Sequence, residues 1–144
     1  MPTEENKALV RRYVEEVWND LKLDVVDELF AADYTIHQGM QSMPTSHEAL
    51  KQGIATIRTA FPDLHMAIDN LICEGDKVGA HWASHGTQRG ELRLPGVPQS
   101  IPPSERDVTF GEAAIFRISN GKLAEVWYAS DRLTMMRQLG LPTP

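Results

Sequence analysis

The chain has 144 residues, 42% hydrophobic and 24% charged, which is enough to bury a core without disulfide or metal staples. A formal net charge of -6, with no basic run longer than Arg11-Arg12, argues against nucleic acid as a partner, since phosphate contacts need clustered cations. A single cysteine, Cys73, permits neither an intrachain disulfide nor a cysteine metal site, and no apolar run approaches the roughly 20 residues of a membrane span. With a polar, acidic start from Met1 to Asn6 in place of a signal peptide, these features predict a cytoplasmic protein with no membrane partner.

Thr3 is the expected cap of a first helix, whose apolar stripe is Leu9, Val10, Tyr13, Val14, Val17 and Trp18. After Asn19-Asp20 a short second helix buries Val25, Val26, Leu29 and Phe30. Thr45 and Glu48 have capping-box spacing for a third helix, with Leu50, Ile54, Ile57 and Phe61 inward and Pro62 after its end. The period then changes to two. Strands are predicted over 64–73 and from Val78 to about Gln88, joined by a turn at Glu74-Gly75-Asp76-Lys77. The segment from Pro95 to Pro103 is too rich in proline for a central strand and reads as an exposed loop. A strand from Asp107 to Ile118, a turn at Ser119-Asn120-Gly121 and a strand from Lys122 to Ser130 follow. A helix over 132–139 closes the chain, with Gly140 as its left-handed cap. No boundary divides the sequence, so residues 1–144 read as one α+β domain of helices against a sheet whose open end holds a pocket.

Residues 121–140, GKLAEVWYASDRLTMMRQLG, combine a Gly-Lys turn, a strand with Glu and Trp, an Asp, and a helix ending Gln-Leu-Gly. Together with Phe116-Arg117, Phe61-Pro62-Asp63 and Tyr34 to His37, this pattern resembles the SnoaL-like polyketide cyclases (ester cyclases) of the nuclear transport factor 2-like superfamily, in order along nearly the whole chain. The resemblance implies a cone-shaped domain with N-terminal helices packed into a strongly curved, mainly antiparallel sheet and a short C-terminal helix. It implies cofactor-free, metal-free ring closure by intramolecular aldol condensation, with Asp131 at the position of the family's acid/base. It also implies pairing of two copies through the sheet. Two departures stand out. Gly86-Thr87-Gln88-Arg89-Gly90 has Gln88 where the family often has histidine, and the loop from Leu92 to Arg106 is longer than usual.

Strand alternation puts Val78, Ala80, Trp82 and Ser84 on one face, and Val108, Phe110, Glu112, Ala114 and Phe116 on one face of the next strand. On the last strand it groups Leu123, Glu125, Trp127, Ala129 and Asp131. These are the expected helix-facing sets, so Asp131, Glu112, Trp82, Ser84, Phe110 and Trp127 are candidates to line the pocket. Asp131 also stands where a helix cap belongs, and the two roles pull its pKa in opposite directions. Glu112 interrupts an apolar face, so it is either functional or paired with a base. His37, where the family often has histidine, is a supporting acid/base or a structural hydrogen-bonder. His81 and His85 lie on the polar face of a strand and read as surface rather than metal ligands.

These readings converge on a lyase- or isomerase-type enzyme that moves a proton on a small, carbonyl-bearing hydrophobic molecule. A non-catalytic domain that binds a small molecule or a protein is the alternative, and an epoxide-hydrolase-like enzyme ranks third. His81, His85 and Ile115 on the outward sheet face predict a homodimer.

Overall fold

The computed structural model describes residues 2–94 and 98–143, so Pro95 in the expected loop lies outside the described residues. Helix α1 (Pro2–Arg12) runs directly into a π-helical segment (Tyr13–Asn19). Its backbone bonds skip five residues, as in Asp20 N–H to Glu15 O at 3.0 Å. Thr3 lies within this helix, one residue past its start. The short helix α2 (Val25–Leu29) follows, its Val25, Val26 and Leu29 all buried.

The sequence reading passes straight from the second helix to the third, and the structure corrects it there. Strands β1 (Phe30–Gln38) and β2 (Gln41–Thr45) intervene as an antiparallel hairpin, and Phe30 belongs to β1 rather than to the helix before it. β1 reads "FAADYTIHQ", without the clean alternation of a half-buried strand, because it pairs with a C-terminal strand on one side and a short edge strand on the other. Helix α3 (His47–Ala60) is capped by Ser46, whose hydroxyl accepts from Ala49 N–H at 3.2 Å. The expected cap, Thr45, is the last residue of β2.

β3 (His65–Glu74), β4 (Lys77–Thr87), β5 (Asp107–Ser119) and β6 (Lys122–Ser130) complete a six-stranded sheet in the order β2-β1-β6-β5-β4-β3. Every neighbouring pair is antiparallel except β1 and β6, which run parallel, so the fold is α+β with a curved, mainly antiparallel sheet. Helices and sheet share one buried core. Val10, Val14, Val17, Leu29 and Ile54 meet Val78, Trp82, Phe116 and Leu123 there.

Helix α4 (Arg132–Gln138) closes the chain. Gln138 clamps it to β5, donating to Thr109 O at 3.0 Å and accepting from Thr109 N at 2.7 Å. Gly140 follows with φ of 77°, as the left-handed cap expected there, and a Cβ on it would meet the Arg106 guanidinium at 2.9 Å.

Candidate functional site

Between the inner face of the sheet, α3 and the π-helical segment lies a cavity of about 400 Å³, within the range that holds a small organic ligand. Its walls are aromatic and aliphatic: Phe30, Ile54, Phe61, Trp82, Phe110 and Phe116 among them. Sheet residues reach it from alternate positions, Trp82 and Ser84 on β4, Phe110 and Glu112 on β5, and Val126, Tyr128 and Ser130 on β6.

Glu112 is the buried carboxyl group of this cavity, only 6% exposed. Its Oε1 accepts from Trp82 Nε1 at 3.0 Å and from Ser84 Oγ at 2.7 Å; Oε2 takes neither bond. Ser130 faces it across the β5–β6 ladder and lines the same cavity. Among the described residues no cation pairs with it. Burial raises its pKa above the usual carboxylate range, and the bonds from Ser84 and Trp82 offset only part of that.

Tyr13, in the same lining, is pushed up to about 12 by burial. Trp18, five residues further on, lines the same cavity. The π-helical backbone explains this pair. Residues five apart point in divergent directions on an α-helix, whereas i→i+5 bonding brings them onto one side. The sequence signal was the apolar stripe itself, which carries no mark of the wider turn.

The last strand corrects the expected face assignment. β6 pairs Arg117 with Glu125 but Ile118 with Leu123, so Ala124 is an extra residue in a bulge. One extra residue inverts every side chain beyond it. Leu123 faces the core as expected, but Val126, Tyr128 and Ser130 face the cavity while Glu125, Trp127 and Ala129 face outward. Trp127 therefore does not line the cavity. It stacks on His37 with ring centroids 5.1 Å apart, and both belong to an open outer groove with Ile72, Ile115 and Ala129.

His37 is likewise outside the cavity. Its Nε2 lies 2.5 Å from Glu125 Oε2 and its Nδ1 lies 2.7 Å from Ser42 Oγ. Arg117 Nε donates to Glu125 Oε1 at 2.9 Å, and with His37 it holds the Glu125 carboxyl below the usual range.

Asp131 is exposed and caps α4. Its Oδ1 accepts from Thr134 N–H at 3.1 Å and its Oδ2 from the Thr134 hydroxyl at 2.7 Å. Those bonds lower its pKa. The capping geometry keeps Asp131 out of the cavity lining, whose nearest members in sequence are Ser130 and Arg132.

Gln88, the residue in place of the family's usual histidine, is fully buried. Its amide nitrogen donates to Gly90 O, Ile101 O and Pro102 O at 3.1 to 3.2 Å, and its oxygen accepts from Ser104 Oγ at 2.7 Å. An imidazole has too few N–H groups for that set. This knot fixes the two ends of the long loop, and Leu92 and Ile101 pair in a bridge. Leu92 and Leu94, just before the proline-rich segment, line the cavity; within that segment Ile101 is buried, while Pro98, Gln99, Pro102 and Pro103 are exposed as expected. Gly90 lets this turn approach α3; a Cβ there would sit 2.5 Å from Thr59 O.

The profile of the SnoaL-like polyketide cyclase family matches residues 8–139. The chain belongs to that family.

Solved structures agree with the assignment. A protein from Jannaschia sp. CCS1 assigned as a SnoaL-like polyketide cyclase is 26% identical, with 98% of this chain and 95% of that one covered at a TM-score of 0.82. TsrD from Streptomyces laurentii is 26% identical, with coverages of 96% and 97% and a TM-score of 0.81. A Catenulispora acidiphila protein with a ketosteroid isomerase-like fold, in complex with trimethylamine, shares the fold alone at 20% identity, coverages of 94% and 97% and a TM-score of 0.69. No curated protein matches the chain in sequence. Among the described residues no group of three or more His, Cys, Asp or Glu is arranged to hold a metal, and no helix is long and apolar enough to cross a membrane.

Proposed function

We propose that this SnoaL-like protein is a cofactor-free enzyme of the lyase or isomerase type, with Glu112 moving a proton on a carbonyl-bearing, largely apolar molecule held in the inner cavity. A desolvated carboxyl group in a largely apolar chamber carries the reading. An ordinary carboxylate is too weak a base to take a proton from carbon, and burial strengthens it. In an aldol-type ring closure, Glu112 carboxylate takes a proton from the carbon beside one carbonyl. The resulting enolate carbon bonds to a second carbonyl carbon in the same molecule, and the alkoxide formed there takes the proton back from Glu112. Atoms and charge balance, and no redox partner is needed. The Tyr13 phenol, kept protonated by burial, is suited to donate to the enolate oxygen.

Exchange of the α-hydrogens of 1-tetralone in deuterated water, followed by NMR, reads this chemistry without knowledge of the natural substrate. Wild-type protein should accelerate exchange, and Glu112→Gln should lose about 100-fold or more of that acceleration. An unchanged rate in the variant would remove Glu112 from the mechanism.

A non-catalytic binding domain is the second reading, favoured by the engagement of Asp131 in capping. Tight binding of the ketone without exchange would select it. The same protein is proposed to work as a homodimer paired through the outer sheet face. The buried helix residues pack on the inner face, and Ile72 and Ile115 stand 72% and 47% exposed on the other side. Sedimentation should give twice the chain mass, falling to the monomer in Ile115→Glu; a wild-type monomer at micromolar concentration would contradict the dimer.

A further inference from the structure

Among the described lining residues of the inner cavity, two have ionisable acid or guanidinium groups, Glu112 and Arg132. Arg132 is half-buried at the rim, at the junction of β6 and α4, while Glu112 lies in the interior. Two other arginines, outside the lining, are engaged elsewhere. Arg117 bonds to Glu125, and Arg58 donates to Phe61 O and Pro62 O at 2.9 and 2.6 Å. Arg132, among the described residues, has neither an ion-pair partner nor a side-chain hydrogen bond. The carboxylate beside it in sequence, Asp131, spends both oxygens on Thr134. With the burial of Glu112 favouring its neutral form, the fixed positive charge at the rim has no internal counterpart.

We propose that Arg132 is the anion-binding residue of this cavity, so that its ligand is an amphipathic acid: an apolar body among the aromatic walls and a carboxylate on the Arg132 guanidinium. A guanidinium offers a planar pair of donors that matches the two oxygens of a carboxylate. The walls give apolar affinity without orientation. One cation at the rim sets which end of the ligand enters first, and so which carbonyl reaches Glu112 in the interior. This places Arg132 as a specificity-determining residue, and it rests on the reading of this same cavity as the substrate site.

The test compares 2-naphthylacetate with its methyl ester by calorimetry, with quenching of tryptophan fluorescence (Trp18 and Trp82 line the cavity) as a second readout. Wild-type protein should bind the acid about 10-fold or more tightly than the ester, as a charge-assisted bidentate contact provides. Arg132→Gln should bring the ratio to about 1 while leaving ester affinity unchanged, and Arg132→Lys should restore part of the preference. Glu112→Gln should keep the wild-type ratio, and a wild-type protein that prefers the acid yet does not accelerate proton exchange would sink the enzymatic reading and spare this one. Equal binding of acid and ester to wild type, failure of both to bind at millimolar concentration, or a preference that persists in Arg132→Gln would each overturn the proposal.

Discussion

The two faces of the sheet treat the same side chain in opposite ways. Glu112 on the inner face is buried, receives hydrogen bonds from neutral donors, and has its pKa raised. Glu125 on the outer face is held between Arg117 and His37 and has its pKa lowered. Both are glutamates on adjacent strands, and environment alone separates their chemistry. The inner face favours the protonated form of its carboxyl group, the property the proposed chemistry uses, whereas the outer face holds one as an anion inside a network that links β1 and β6. Asp131 belongs with Glu125 in this respect, because Thr134 favours its charged form.

The largest effect that sharpens this contrast is on pH-dependent stability. A raised pKa in the folded state means that unfolding releases the Glu112 proton above the usual carboxylate range. Glu112 therefore costs stability as pH rises from the unfolded pKa through the folded one. Glu112→Gln should raise Tm at neutral pH, with the gain vanishing at acid pH. Glu125, with its lowered pKa, contributes stability that is present above the unfolded pKa and lost as pH falls through the folded one. Glu125→Gln should therefore lower Tm at neutral pH and have little effect in acid. Thermal melts from pH 3 to pH 8 check both, and slopes of the same sign would break the contrast.

Gln88→Ala comes next. Stripping buried carbonyls and Ser104 of their partner should cost about 2 kcal/mol in urea unfolding, and should increase proteolysis of the loop it ties. A loss below about 0.5 kcal/mol would mean that the loop holds its place without the knot. Asp131 gives a smaller signal. Asp131→Asn should melt close to wild type, since asparagine caps as well, while Asp131→Ala should melt measurably lower; equal melting of the two would deny the cap. The smallest effect is at Tyr34, whose hydroxyl is buried without a partner among the described residues. Tyr34→Phe should be neutral or stabilising by up to about 1 kcal/mol, and a clear loss of stability would reveal a partner for that hydroxyl.

Much of this architecture was legible in the sequence because periodicity reports burial. The β3–β4 and β5–β6 hairpins, helix α3 and the Gly140 cap all follow from patterns of two, of three to four, and of turn residues. β1 escaped, since a strand paired in parallel to the far end of the chain has no local signature, and the five-residue edge strand β2 escaped with it. The cavity lining was legible through Glu112, whose charge breaks an apolar alternation, with Trp82, Ser84 and Phe110 beside it. It was misread at Trp127 because the bulge at Ala124 inverts the strand without changing its composition. Arg132 escaped for a related reason: its neighbour Asp131 matches the family's acid, and capping by Asp131 leaves the rim of the cavity to the next residue.

The central claim is that Glu112, and not Asp131, carries the proton, and the pH profile of α-hydrogen exchange in 1-tetralone tests it most directly. The rate should rise through an apparent pKa above the usual carboxylate range, keep that profile in Asp131→Asn, and lose it in Glu112→Gln. A rate that rises through the ordinary aspartate range, survives in Glu112→Gln and disappears in Asp131→Asn would contradict the account.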